Sequence, residues 1–153
     1  MMVRAIMHGC NGAMGQVISG IAAQDEEISI VAGIDVADEG KNPYPVFPSL
    51  DVCDVEADVV IDFSNAKAID GLLAWCCKKG MPVVLCTTGL SEAQLALAGE
   101  AAKKTAVLRS ANMSLGVNVL LKLLKEAAKT LAPAGFDIEI LEMHDQWKKD
   151  APS

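Results

Sequence analysis

Apolar positions along the chain fall into two alternating patterns. Short aliphatic runs with almost no polar break stand at residues 3–7, 28–34, 59–61, 82–85 and 106–108. Runs of this kind suit strands buried on both faces, as parallel strands are. Between them the apolar residues recur at helical spacing. The first helix is expected at residues 13–23, and Ile69, Leu72, Leu73 and Cys76 mark a second. Lys78, Lys79 and Gly80 close that second helix in the favoured order. Ser91 with Gln94 forms a capping box for a third. Ser114 caps a long fourth helix, which Pro133 and Gly135 stop. Its stripe of Leu120, Leu123, Leu124, Ala127, Ala128 and Leu131 reads as core facing the sheet, with Lys122, Lys125 and Lys129 toward water. Residues 36–50 contain Gly40, Pro43, Pro45 and Pro48 and are expected to form a loop, followed by a short helix or turn over 51–57.

Five strand–helix alternations predict an α/β fold: a Rossmann-like parallel sheet with helices on both faces. Right-handed crossovers place the strand C-termini along one edge, where open α/β sheets bind ligands. That edge collects the loop at residues 9–15, Asp35, Asp62-Phe63-Ser64, Cys86-Thr87-Thr88-Gly89 and Ser110-Ala111-Asn112. Each group taken singly is an ordinary turn or helix cap; their joint position is what points to a site. Residues 136–142 differ, since Phe136, Ile138 and Ile140 alternate with Asp137 and Glu139. That is a half-exposed strand, expected to be the first strand of a second α/β domain. The domains are therefore expected at 1–135, which carries the sheet, and 136–153, the start of the second.

Composition narrows the function classes. Hydrophobic residues make up 52% of the 153 and aromatics 4%, so the core is expected to be aliphatic. A net charge of −7 argues against nucleic acid or an anionic membrane as the main partner. The five cysteines, Cys10, Cys53, Cys76, Cys77 and Cys86, are odd in number, include no C-x-x-C pair, and follow no signal peptide. A reduced, cytoplasmic setting is expected, with each cysteine acting as a small buried apolar residue. No apolar run approaches the roughly 18 residues of a membrane span, and no metal site is expected.

The chemistry begins at Gly9, Gly12 and Gly15, which stand where the first strand turns into the first helix. Bare N–H groups and the positive end of a helix then meet at one point, where a pyrophosphate can bind. The spacing is G-x-x-G-x-x-G rather than the usual dinucleotide fingerprint, and a ligand-free glycine turn explains it equally well. Asp35 adds weight. It ends the second strand 20 residues beyond Gly15, about where this fold places a carboxylate that accepts from the adenosine ribose hydroxyls. A solvated strand-end acid, like the nearby Asp38 and Glu39, is the alternative.

With these residues in place the chain resembles the 4-hydroxy-tetrahydrodipicolinate reductase (dihydrodipicolinate reductase) family, from residue 3 to the last. The family's Gly-x-x-Gly-x-Met-Gly stands as Gly9-Cys10-Asn11-Gly12-Ala13-Met14-Gly15, and its Asp-Phe-Ser/Thr as Asp62-Phe63-Ser64. Its Gly-Thr-Thr-Gly stands as Cys86-Thr87-Thr88-Gly89, with Cys in the first position. Its Ala-x-Asn-(Phe/Met)-Ser-x-Gly-Val-Asn stands as Ser110-Ala111-Asn112-Met113-Ser114-Leu115-Gly116-Val117-Asn118. Its signature around Glu-x-His-His-x-x-Lys-x-Asp-x-Pro-Ser stands as Glu142-Met143-His144-Asp145-Gln146-Trp147-Lys148-Lys149-Asp150-Ala151-Pro152-Ser153.

The resemblance implies a nucleotide domain followed by a substrate and tetramerisation domain. It implies a homotetramer in the full-length family, and reduction of a small cyclic dicarboxylate in lysine and diaminopimelate biosynthesis with NADH or NADPH. Carried over by position, Gly9, Cys10, Asn11, Gly12, Ala13, Met14, Asp35, Cys86, Thr87, Thr88, Ser110, Ala111, Asn112 and Met113 would hold the cofactor. His144 would be the acid/base, with Lys148 as cationic partner and substrate ligand. A histidine suits proton transfer near neutrality, and an ammonium steadies a developing anion.

Three departures matter, the first being Cys86 in place of a glycine beside the nicotinamide, where it either crowds the backbone or merely packs. Asp145 stands at a substrate-contacting position where the family has its second His, so like charges would repel. The family pattern continues with Gly-Thr past Ser153, so this chain by itself is expected to be inactive. An NAD(H)-binding module without catalysis is the competing reading. Because Val36 and Ala37 follow Asp35 with no Arg, NADH is the expected cofactor and NADPH the alternative; Lys41 is the nearby cation.

Overall fold

The computed structural model describes residues 1–141 and 143. The chain divides into two compact units, Met1–Ser110 and Ala111–Ser153. In the first, β1 (Val3–His8) leads through the glycine loop into α1 (Ala13–Ala22), then β2 (Ile28–Ile34) and β3 (Val46–Phe47). A 3-10 turn at Leu50–Val52 precedes β4 (Val59–Asp62), and another at Ala66–Ala68 runs into α2 (Ile69–Lys79). β5 (Val83–Leu85), α3 (Glu92–Ala101) and β6 (Val107–Arg109) complete the unit.

The strands form one sheet in the order β3-β2-β1-β4-β5-β6, with every neighbouring pair parallel. The Rossmann-like expectation is met, with one strand more than the five expected. That strand, β3, lies inside the proline-rich stretch expected to be loop. It pairs through Val46 and Phe47 with Gly33 and Ile34, and the Gly33 N–H also donates to the Pro45 carbonyl at 2.9 Å. A two-residue run carries almost no periodic signal. Prolines also sit at its borders, where an edge strand tolerates them and where they blunt further pairing.

The core is aliphatic, as composition implied. Ile6 and Val60 from the central strands and Leu85 from β5 pack against Ile69, Leu72, Leu73 and Cys76 of α2, all close to fully buried. Helix ends follow their local signals. α2 stops at Gly80, whose φ of 63° admits the left-handed cap, and the Met81 N–H closes the turn onto the Cys76 carbonyl at 2.9 Å. α3 starts at a complete capping box: the Ser91 hydroxyl accepts from the Gln94 N–H, and the Gln94 side chain accepts from the Ser91 N–H.

The second unit holds α4 (Leu115–Leu131), with the Ser114 hydroxyl accepting from the Val117 N–H at 3.4 Å. Pro133 lies in the 3-10 turn Ala132–Ala134, and Gly135 ends it at φ 87°. Two expectations change here. The stripe Leu120, Leu123 and Leu124 is exposed, and among the described residues of this unit no element covers it, because a lone helix cannot bury its own face. Residues 136–141 form no ladder; a strand needs a partner edge, and none of the described residues supplies one. Among the described residues no helix is long and apolar enough to cross a membrane.

Candidate functional site

The order of the strands creates the site. From β1 the chain moves outward one way to β2 and β3, then returns to lay β4 on the other side of β1. The loops after β1 and β4 therefore part, and the gap between them is the place where open α/β sheets take ligands. A cavity of about 430 Å³ lies there, walled by His8, Gly9, Asn11 and Gly12 after β1, Asp35 and Glu39 after β2, and Phe63 and Ser64 after β4.

The glycine loop reaches its shape through close backbone approach. Gly9 has φ 83°, and a Cβ there would lie 2.5 Å from the Phe63 carbonyl oxygen. At Gly15 a Cβ would lie 2.3 Å from the Gly9 oxygen and 2.7 Å from the Cys10 oxygen. Only hydrogen fits at either position. α1 then begins at Ala13 with no side-chain cap and no acid in its first turn, so its first N–H donors and the positive end of its dipole are available to an anion.

Asp35 braces this loop from β2. Its Oδ2 accepts from the Asn11 N–H at 2.9 Å, and its Oδ1 accepts from the Val36 N–H at 2.9 Å. Each carboxylate oxygen keeps a further lone pair for a ligand hydroxyl. The Asn11 amide donates to the Ala37 carbonyl at 2.8 Å, and the Asn42 amide donates to Asn11 Oδ1 at 2.9 Å. The Cys10 side chain turns the other way and is fully buried. A Cβ on Gly33 would meet its sulfur at 2.6 Å, so the bare backbone of β2 makes room for it. Burial and the nearby Asp35 push the Cys10 thiol up to about 11. Burial does the same to Cys86, to about 11, and to Cys76, to about 12. These three thiols stay protonated and inert at neutral pH.

Beneath the cavity lies a hydrogen-bonded cluster centred on Asp62, which is wholly buried. Its Oδ1 accepts from His8 Nδ1 at 2.7 Å and from the Ser64 hydroxyl at 2.6 Å, and its Oδ2 accepts from the Thr87 hydroxyl at 2.7 Å. Burial is the strongest single influence and pushes the Asp62 carboxyl up. The bonds from His8, Ser64 and Thr87 together outweigh it and hold the group below the usual carboxylate range. An ionised carboxylate only accepts, so Nδ1 of His8 carries the hydrogen.

Of the residues singled out from the sequence, the structure brings Gly9, Asn11, Gly12 and Asp35 to one cavity. Ala13 and Met14 open α1, with Met14 exposed. Cys86, Thr87 and Thr88 follow β5, Thr87 being tied into the Asp62 cluster. Ser110 follows β6, where its N–H donates to the Leu85 carbonyl at 3.1 Å. Ala111, Asn112 and Met113 belong to the second unit, in which Asn112 Oδ1 accepts from the Ser114 N–H at 2.8 Å. His144, Asp145 and Lys148 lie outside the described residues. The sequence reading passed over His8, Glu39 and the role of Asp62 as a hub. His8 and Asp62 are register partners on adjacent strands, each two residues beyond a core position, Ile6 and Val60, and such a pairing across 54 residues leaves no local mark in the sequence.

Comparison with known proteins agrees with this geometry. The family profile described as Dihydrodipicolinate reductase, N-terminus, matches residues 3–113, and that described as Dihydrodipicolinate reductase, C-terminus, matches residues 116–153. A 4-hydroxy-tetrahydrodipicolinate reductase of Caldanaerobacter subterraneus subsp. tengcongensis is 52% identical over 157 residues, a match covering 100% of this chain and 60% of that protein. One from Clostridium tetani is 43% identical with the same coverage. The solved structure titled dipicolinate bound dihydrodipicolinate reductase, from Paenisporosarcina sp. TG-14, superposes with a TM-score of 0.76 at 29% identity, covering 100% of this chain and 62% of that one. The chain thus spans about 60% of the length of the curated relatives it matches. With a glycine loop, a switch-point cavity and profile matches over nearly its whole length, the chain belongs to the dihydrodipicolinate reductase family.

Proposed function

We propose that this chain is the nicotinamide-dinucleotide-binding part of a reductase that converts 4-hydroxy-tetrahydrodipicolinate to tetrahydrodipicolinate. The observation that carries the reading is the cavity at the switch point, with Gly9 and Gly12 on one wall and Asp35 on another. The glycine backbone leaves space that any side chain would fill, the uncapped start of α1 offers donors to a pyrophosphate, and Asp35 offers acceptors to ribose hydroxyls. When bound, the cofactor supplies hydride. The residues of this chain position it, through the loop at 9–14, Asp35, the 86–88 strand end and the segment 110–113. His144 delivers the proton and Lys148 grips a substrate carboxylate, with Asp145 at a substrate-contacting position. In the complete protein residues 136–153 open the substrate domain, and the assembly is a homotetramer.

The same wall favours NADH over NADPH. Asp35 and Glu39 both line it, and Lys41 is already paired with Glu39, so a ribose 2′-phosphate would meet carboxylates and, among the described lining residues, no Lys or Arg.

Two measurements test the reading. Titration calorimetry on this chain should give a lower Kd for NADH than for NADPH, with Asp35→Ala weakening NADH about tenfold, as loss of a charge-assisted hydrogen bond pair implies. A tighter Kd for NADPH refutes the preference. A chimera carrying the remaining residues of the Caldanaerobacter relative should oxidise NADH in a substrate-dependent way. A folded chimera that binds NADH without turnover refutes the reductase and leaves a binding module.

A further inference from the structure

One side chain of the cavity lining has a polar atom without a partner among the described residues. His8 is only 8% exposed, its Nδ1 is committed to Asp62 at 2.7 Å, and its Nε2 has no partner among the described residues. The ring also borders a smaller cavity of about 230 Å³ beside Asp51 and Trp75. Among the described residues the charged groups bonded to it or lining the same cavities are all acids: Asp62 from β4, Asp35 and Glu39 from the segment after β2, and Asp51 from the following turn. No Lys or Arg among the described residues lines either cavity. His8 is therefore, among the described residues, the one lining side chain able to carry positive charge.

A pyrophosphate brings two negative charges to this wall. The start of α1 answers with about half a positive charge, and the carboxylates oppose the rest. Histidine changes charge between pH 5 and 8. Its Nδ1–H is already held by the Asp62 carboxylate, which Ser64 and Thr87 hold in turn. Adding a proton at Nε2 makes a second donor on a residue that lines the cavity, in a ring held at Nδ1 by Asp62.

Resting on the dinucleotide reading above, we propose that His8 takes up a proton as a pyrophosphate-bearing nucleotide binds, its Nε2–H then donating to an anionic oxygen while Asp62 holds the ring. His8 is then a binding residue and Asp62 its positioning residue. No bond other than N–H is made, and the proton comes from solvent. Binding should weaken as pH rises, by up to about tenfold per unit where the uptake is complete.

The test uses ADP-ribose, which carries the pyrophosphate without the nicotinamide. Calorimetry of the 153-residue chain at pH 7.5, in buffers of differing ionisation enthalpy, counts the protons bound. Net uptake is expected in the wild type and none in His8→Gln, whose amide still offers a neutral donor. In a His144→Gln background His8 is the single histidine left, and its Cε1 proton resonance should move toward the imidazolium position on adding ADP-ribose at constant pH. No net uptake, equal uptake in His8→Gln, or a resonance that stays in place overturns the proposal. If the folded wild type binds no ADP-ribose at any pH, the dinucleotide reading itself falls; binding without proton uptake removes only the role of His8.

Discussion

Replacing Asp62 should separate the worth of its charge from the worth of its shape. In Asp62→Ala the His8 Nδ1–H and the Thr87 hydroxyl lose their acceptor inside the protein, where both residues are at least nine-tenths buried. The half-buried Ser64 can turn to water. A buried donor left unsatisfied costs about 1–3 kcal/mol, so two cost roughly 4 kcal/mol, in line with the penalty for breaking a buried pair. For a chain of this size that is a fall in Tm of about 8–16 °C. In Asp62→Asn the amide oxygen can still serve His8 and Ser64, and its NH2 can face Thr87, whose hydroxyl rotates to accept. That loss should be nearer 1–2 kcal/mol. Trp75 packs against this core, so its fluorescence during urea unfolding, in a Trp147→Phe background, reads the effect. A deficit below about 1 kcal/mol for Asp62→Ala, or a larger one for Asp62→Asn, would refute the account of the cluster.

The pH dependence supplies an independent check on that substitution. The folded state holds the Asp62 carboxyl below its ordinary value. Its contribution is therefore present in full above the unfolded pKa, about 3.9, and is lost as pH falls through the lower, folded value. The stability gap between wild type and Asp62→Asn should be constant from neutrality down to about pH 4 and should close below it. Two glycines of α1 should respond with opposite signs. Gly15→Ala forces a Cβ against two backbone oxygens and should destabilise by about 1–3 kcal/mol while abolishing NADH binding. Gly20→Ala has nothing within 4 Å of its new Cβ and should stabilise by about 0.5–1 kcal/mol, both read from urea midpoints. Ser91→Ala removes the capping box of α3 and should lower Tm by about 2–4 °C, the equivalent of about 1 kcal/mol.

Much of the nucleotide unit was legible because its signals are local. An aliphatic run without polar breaks, a serine before a helix with glutamine three residues on, and a glycine at the helix end each act through neighbours in the chain. The sequence alone was enough to predict β1, β2, β4, β5 and β6 to within two residues, the caps of α2 and α3, and the alternation that makes the sheet parallel. It also marked Gly9, Gly12 and Asp35 as one site, since the crossover rule carries strand ends to a common edge. Other features rest on chain segments far apart in sequence. β3 exists because β2 offers it an edge, not because Val46 and Phe47 demand a strand. Gly33 must be glycine because the Cys10 sulfur presses on it from another loop. The stripe of α4 and the alternation at 136–141 showed which faces are apolar, and periodicity is silent on what covers them. His8 and Asp62 are separated by 54 residues, and each alone reads as the last residue of a strand. Their pairing depends on parallel register between β1 and β4, which only the folded sheet creates.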